Sequence, residues 1–255
     1  MLQNLLKGVV ICGLLFVTGH AATGQTQSGA CPRSEKSRHI SDVTSVTGCP
    51  FSAVIEITQS QTLADGTHIQ TKSKAVVYRD SLGRIRYENY SFVPTDKEIP
   101  ESPNMIQIFD PVARFSYWLS PRNAVATRSR LDDPATNQKA NTQPQQSPTR
   151  DSASPQVQEP RPDSVVEKLG TQLIEGLLVT GRRNTVTFPA GMEGNDRPIV
   201  VVSEVWDSSD MGIRLLEKIF NPRTGDMERR MTNLSRIEPD PSLFQVPADY
   251  TMKGE

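Results

Sequence analysis

The sequence predicts a mainly β protein: one strongly curved antiparallel sheet, an incomplete barrel, with little helix. Residues 53–63, 67–80 and 84–93 alternate polar and apolar side chains, and Ala64-Asp65-Gly66-Thr67 and Ser81-Leu82-Gly83-Arg84 join them as tight turns, the pattern of antiparallel hairpins. Later stretches, Ile199 to Trp206 and Ile213 to Phe220, carry apolar groups on both sides. Strands of that kind need cover on both faces, and a sheet that wraps its own interior supplies one of the two.

Residues 1–22 have the layout of a cleavable signal peptide, with Lys7, an apolar run from Gly8 to Val17, and the small residues Gly19, Ala21 and Ala22. The run is about half of what a bilayer crossing needs and no second one of adequate length follows, so the expected mature chain is exported, periplasmic or extracellular, without a transmembrane segment. Residues 23–50 are poor in large apolar side chains and read as a flexible segment. With Cys12 removed in the leader, Cys31 and Cys49 remain. A disulfide suits an oxidising compartment; the alternatives are two free thiols or a metal site, for which His39 and His68 complete only a poor ligand set.

From 51 to 250 the chain reads as one curved sheet domain, interrupted by a Pro/Gln/Ser-rich insert at 130–162. Before the insert, Met105 to Phe109 and Phe115 to Leu119 form a hairpin around Asp110-Pro111-Val112-Ala113, and a turn at Pro121-Arg122-Asn123 leads to a short strand through Val125. The insert has few large apolar groups besides Leu131 and Val157, too few to offset its ordering entropy, so disorder is expected there. After it, Asp163 suits the cap of a single helical turn, Ser164 to Leu169, stopped by Gly170. Strands follow at 171–175, 177–188, 199–206, 213–220 and 227–237. In Asp240-Pro241-Ser242-Leu243-Phe244, Asp240 caps and Pro241 starts one helical turn that presses Leu243, Phe244 and Val246 onto the sheet.

The chain carries 28 Lys and Arg against 29 Asp and Glu. There is no cationic excess with which to grip nucleic acid, so no nucleic-acid partner is expected. Arg79, Arg84, Arg86 and Glu88, together with the pairs Arg182-Arg183 and Arg229-Arg230, read as a solvated outer face with cross-strand pairs. Sequence signatures of catalysis are missing: no GxGxxG, phosphate loop or HExxH occurs, and neither His39 nor His68 follows a nucleophile elbow. A non-enzyme without cofactor or bound metal is the expectation.

The run Val202-Ser203-Glu204-Val205-Trp206-Asp207, then Gly212 to Lys218, Arg229 to Ile237 and the closing Asp240 to Pro247, resembles the end of the periplasmic lipoprotein-carrier-like superfamily, which includes outer-membrane lipoprotein-sorting proteins. The likeness covers about 80 residues and is a pattern of strands. The whole chain also resembles exported proteins of soil bacteria whose activity is uncharacterised, through Ala64-Asp65-Gly66-Thr67, Tyr78-Arg79-Asp80 and Gly194-Asn195-Asp196-Arg197-Pro198. The superfamily resemblance implies an apolar hollow that holds or senses a lipid or acyl group. Phe115, Tyr117, Trp118, Trp206 and Phe220 lie on predicted strands and are either ordinary core or the lining of such a pocket. The rival expectation is a structural or protein-interaction module that docks an envelope protein by its sheet edge or basic face.

Overall fold

The computed structural model describes Cys31, residues 39–40, 42–131 and 161–254. The leader and nearly all of the insert therefore lie outside the described residues. The strands are β1 (His39–Ile40), β2 (Val43–Thr44), β3 (Phe51–Thr62), β4 (His68–Arg79), β5 (Ile85–Asn89), β6 (Val93–Pro94), β7 (Met105–Asp110), β8 (Phe115–Ser120), β9 (Val125–Arg130), β10 (Asp163–Ile174), β11 (Leu177–Phe188), β12 (Ile199–Ser208), β13 (Ile213–Asn221), β14 (Gly225–Ser235) and β15 (Thr251–Lys253). Two short 3-10 turns, Pro121–Asn123 and Pro241–Phe244, are the described helical elements. No helix among the described residues is long and apolar enough to cross a membrane.

All 15 strands belong to one sheet, whose main path runs β10-β11-β12-β13-β14-β3-β4-β5-β7-β8-β9-β15. The path has two free ends, so the sheet is an open, incomplete barrel. Neighbours are antiparallel except β15, which runs parallel to β9. The two segments flanking the insert meet through β14 and β3, where Met231 stands opposite Ile55 and Met227 opposite Gln59.

The predicted corners form where the turn chemistry asks for them. Gly66 and Gly83 adopt φ of 85° and 79°, the left-handed region open to glycine at low cost. Asp65 Oδ1 accepts from the Thr67 amide at 2.9 Å, and Asp80 Oδ1 accepts from the Leu82 and Arg84 amides at 3.0 and 2.8 Å. One predicted element is corrected: Ser164 to Leu169 is strand, not a helical turn, because β10 pairs with β11 along its whole length. Six residues are too few to make a helix that stands alone, and Val165 and Val166 are β-branched, so a ready ladder partner prevails. Gly170, the expected stop, instead follows a bulge in that ladder at φ 85°.

The register sorts side chains onto two faces, each buried under one end of the chain. Phe51, Ala53, Ile55, Ala75, Val77, Ile85, Tyr87 and Phe109 share the first face and are buried. This face is the inside of the bend: Arg229 on β14 donates through Nη2 to Tyr87 Oη on β5 at 2.8 Å. Those strands are three ladder steps apart, about 14 Å on a flat sheet. On the opposite face Ile106, Ile108, Leu119 and Ala126 are buried with Phe244 and packed by Leu243, Val246 and Tyr250. There Asp240 caps the predicted turn, its Oδ1 accepting from the Ser242 amide at 2.8 Å.

What covers the inner face is the segment expected to be flexible. Its described part forms β1 and β2, and Val43 and Val46 are 0% and 3% exposed. Cys31 and Cys49 are joined as a disulfide. The Cys31 amide donates to Asp210 O at 2.8 Å and the Thr44 amide to Gly212 O at 2.9 Å, so the strap is stitched to the β12–β13 turn. The sequence pointed to a flexible segment because few large apolar side chains occur there; the anchors are backbone groups, Arg79, the Asp42 ion pairs and the small side chains of Val43 and Val46. Replacing both cysteines by serine is expected to lower stability by about 3 kcal/mol, the loop-closure value for a crosslink of this span. Urea denaturation of the double variant against the wild type measures it; equal midpoints would show that the strap holds without the crosslink.

Candidate functional site

Of the aromatic residues picked from sequence, the structure brings few together. Phe115 and Tyr117 share the outer face of β8 with ring centroids 6.3 Å apart, and the Arg128 guanidinium lies 4.7 Å from the Phe115 ring. Trp118, between them in sequence, points to the other face and is 43% exposed. Trp206 is buried on β12, opposite Gly181. A Cβ at position 181 would stand 2.6 Å from its ring, so this glycine makes room for the indole, whose Nε1 donates to Glu204 Oε1 at 2.9 Å. Trp206 is thus core.

Phe220 is different. It is 52% exposed and borders a cavity of ≈ 580 Å³ at the end of the sheet formed by the β13–β14 hairpin and the β3–β4 ends. Ile219 and Met227 line the same cavity with Gln70, Thr95 and Lys218. The cavity takes residues from both alternations of the hairpin, Ile219 and Met227 from the inner face and Phe220 and Lys218 from the outer. Ile219 and Met227 thus stand side by side on the inner face and Phe220 on the other, while Asp226 and Glu228 line the cavity with Lys218, whose Nζ lies 3.7 Å from Glu228 Oε2 and is half exposed. Ile219 and Met227 were missed because each looks like ordinary strand filling; their register partnership, opposite one another across β13 and β14, is a tertiary fact.

Toward the strap, the inner face turns polar. Asp42 sits between Arg229, at 2.5 Å, and Arg214, at 3.8 Å, and Glu217 lies 3.0 Å from Arg214. Burial pushes the Asp42 carboxyl above its usual range, with Arg229 pulling the other way, and burial also pushes the Tyr87 phenol up to about 12. Every acid of this cluster has an arginine, which makes it a clamp between strap and sheet. Among the described residues, no group of three or more His, Cys, Asp or Glu side chains is placed to hold a metal ion.

The basic residues expected on a solvated face divide. Arg183 does pair across strands, with Glu167 at 3.5 Å and Glu204 at 3.2 Å. Arg79 and Arg86 are 0% and 8% exposed and belong to the interior. Arg86 pairs with Glu88 at 2.6 Å and donates to Leu243 O at 2.9 Å, tying the C-terminal segment down.

No family model and no curated protein matches the sequence. Solved structures do resemble the fold at low identity. An uncharacterised conserved protein of Thermus thermophilus is 9% identical, with a TM-score of 0.41 over 80% of this chain and 90% of that one. The MucA/MucB complex of Pseudomonas aeruginosa contains a chain 12% identical, with a TM-score of 0.36 over 79% of this chain and 57% of that one. A LolA-superfamily protein of Nitrosomonas europaea is 9% identical, with a TM-score of 0.30 over 77% of this chain and 90% of that one.

Proposed function

We propose that the protein is a non-catalytic, exported binding protein that takes a lipid or acyl group at the end of its curved sheet. The observation that carries this reading is the ≈ 580 Å³ cavity with Ile219, Phe220 and Met227 on its wall and Lys218 at its side. Small-molecule sites are concave and mainly apolar with a few placed polar groups, and this volume falls within their usual range. An acyl chain would lie along Ile219 and Met227, which share the inner face, with Phe220 at the rim; Lys218 would leave Glu228 to meet an anionic head. A half-exposed Phe220 beside that cavity is apolar surface that such a ligand removes from water.

Two measurements test the proposal. Native mass spectrometry of protein purified without detergent is expected to retain acyl-sized adducts. A fluorescent twelve-carbon fatty acid should bind the purified chain, and Ile219→Glu should raise its Kd by about tenfold or more, roughly 1.4 kcal/mol, by placing a carboxylate where the chain lies. A clean apo mass together with no fatty-acid binding would sink the reading. A second reading, docking of an envelope protein at a sheet edge, is favoured by a separate feature: among the described residues β10 pairs on one side only along the main path and is exposed over most of its 12 residues.

A further inference from the structure

The β10 edge carries more information than its openness. Val165, Val166 and Leu173 are 60%, 64% and 73% exposed, on both faces of a strand that ends the sheet. Exposed edges of this length and apolarity invite pairing, and natural sheets usually blunt them with charge, proline or short length. The opposite end of the sheet follows that habit, closing on the three-residue β15. Beta 10 does not.

The charge order across the sheet specifies what would fit. Glu167, Arg183, Glu204, Lys218 and Glu228 stand opposite one another on five consecutive strands, β10 through β14, alternating in sign at each step. Arg183 reaches both of its neighbours in the row, and Lys218 reaches Glu228. The row stops at Glu167, which is about half exposed at the free edge. The next position favours a cation. On the other face, Lys168 stands opposite Arg182, whose acid is Asp207 at 3.2 Å. The position beyond Lys168 therefore favours an anion.

We infer that β10 receives an antiparallel strand of a partner protein whose docking step reads, from N to C, acidic, basic, apolar, apolar. The acid meets Lys168, the base meets Glu167, and the apolar pair covers Val166 and Val165. This inference rests on the second reading above and names the partner's chemistry. A second copy of the chain does not satisfy it. In a two-fold pair of β10 strands, the residues that could face Glu167 are those on its own face, Asp163, Val165, Glu167, Gly170, Gln172 and Ile174, and none is basic.

The test uses two blocked peptides, Thr-Thr-Glu-Lys-Val-Val-Thr-Thr and its charge-reversed control Thr-Thr-Lys-Glu-Val-Val-Thr-Thr, with amide hydrogen exchange of the full chain as readout. The first is expected to slow exchange within β10 and to bind about tenfold more tightly than the control, the worth of two cross-strand pairs changed from attraction to repulsion. The double variant E167K/K168E should reverse the preference, and E167Q/K168Q should abolish it. Equal protection by both peptides would leave strand addition standing and overturn the inferred charge order; protection by neither would overturn both. Beta 10 amides already protected in the free chain, or size that grows with concentration through this edge, would likewise overturn the inference by assigning the edge to the chain itself.

Discussion

Replacing Arg79 by methionine is expected to lower stability by about 3–5 kcal/mol, the range seen when one member of a buried polar assembly is removed. The side chain is 0% exposed. Its Nε donates to Cys49 O at 2.8 Å, and its Nη1 donates to Thr44 O at 2.8 Å and Met211 O at 2.9 Å. Those carbonyls belong to the strap and to the β12–β13 turn, so one guanidinium on β4 holds two remote pieces of backbone together. The Phe51 ring lies 4.8 Å from its Cζ and adds a cation–π contact. Burial pulls the guanidinium pKa down to about 10, which leaves it charged at neutral pH. Methionine keeps most of the volume and none of the donors, and lysine cannot reproduce the fork. Urea denaturation of both variants measures the loss; a change under 1 kcal/mol would mean that the three carbonyls find other donors.

The second large effect is expected at the other face. Phe244→Ala should cost about 3–5 kcal/mol, the value for emptying a fully packed aromatic site, and lower the melting temperature by roughly 10 °C. Phe244 is 3% exposed among Ile106, Ile108, Leu119 and Ala126, and the Arg84 guanidinium lies 4.9 Å from its ring. Because Arg86 and the Asp240 cap hold the same segment, the loss should stay local. Residues 240–250 should exchange their amides faster while β3 and β4 keep their protection. An unchanged melting temperature would show that the segment merely rests on the sheet.

The two sites also mark where sequence reasoning works and where it stops. Alternation with turn residues at the corners located β3, β4, β7, β8 and β11 to β14 to within a few residues, because period and turn chemistry are local properties. Asp240-Pro241 located the C-terminal turn for the same reason. The 164–169 turn was misread because capping residues speak only about the helix, whereas the choice between helix and strand was made by β11, more than ten residues on. Arg79 was placed on a solvated face because nothing in its neighbours' identity announces that a segment thirty residues upstream folds over it. The candidate cavity was half legible: Phe220 stood out as a large ring on a strand, while Ile219, Met227 and Lys218 became its companions only through the register of β13 with β14.

The junction of β3 with β14 sets a constraint on how the polypeptide matures. Phe51–Thr62 meets its second neighbour only when Gly225–Ser235 exists, so translation must pass β14 before that seam can close. A nascent chain that released its early hairpins to the cytosol would carry a bare ladder of amides and carbonyls throughout synthesis, a state prone to sticking to its own kind. Completion in one step, after β14 has been delivered, suits this topology better than piecemeal assembly from the ribosome.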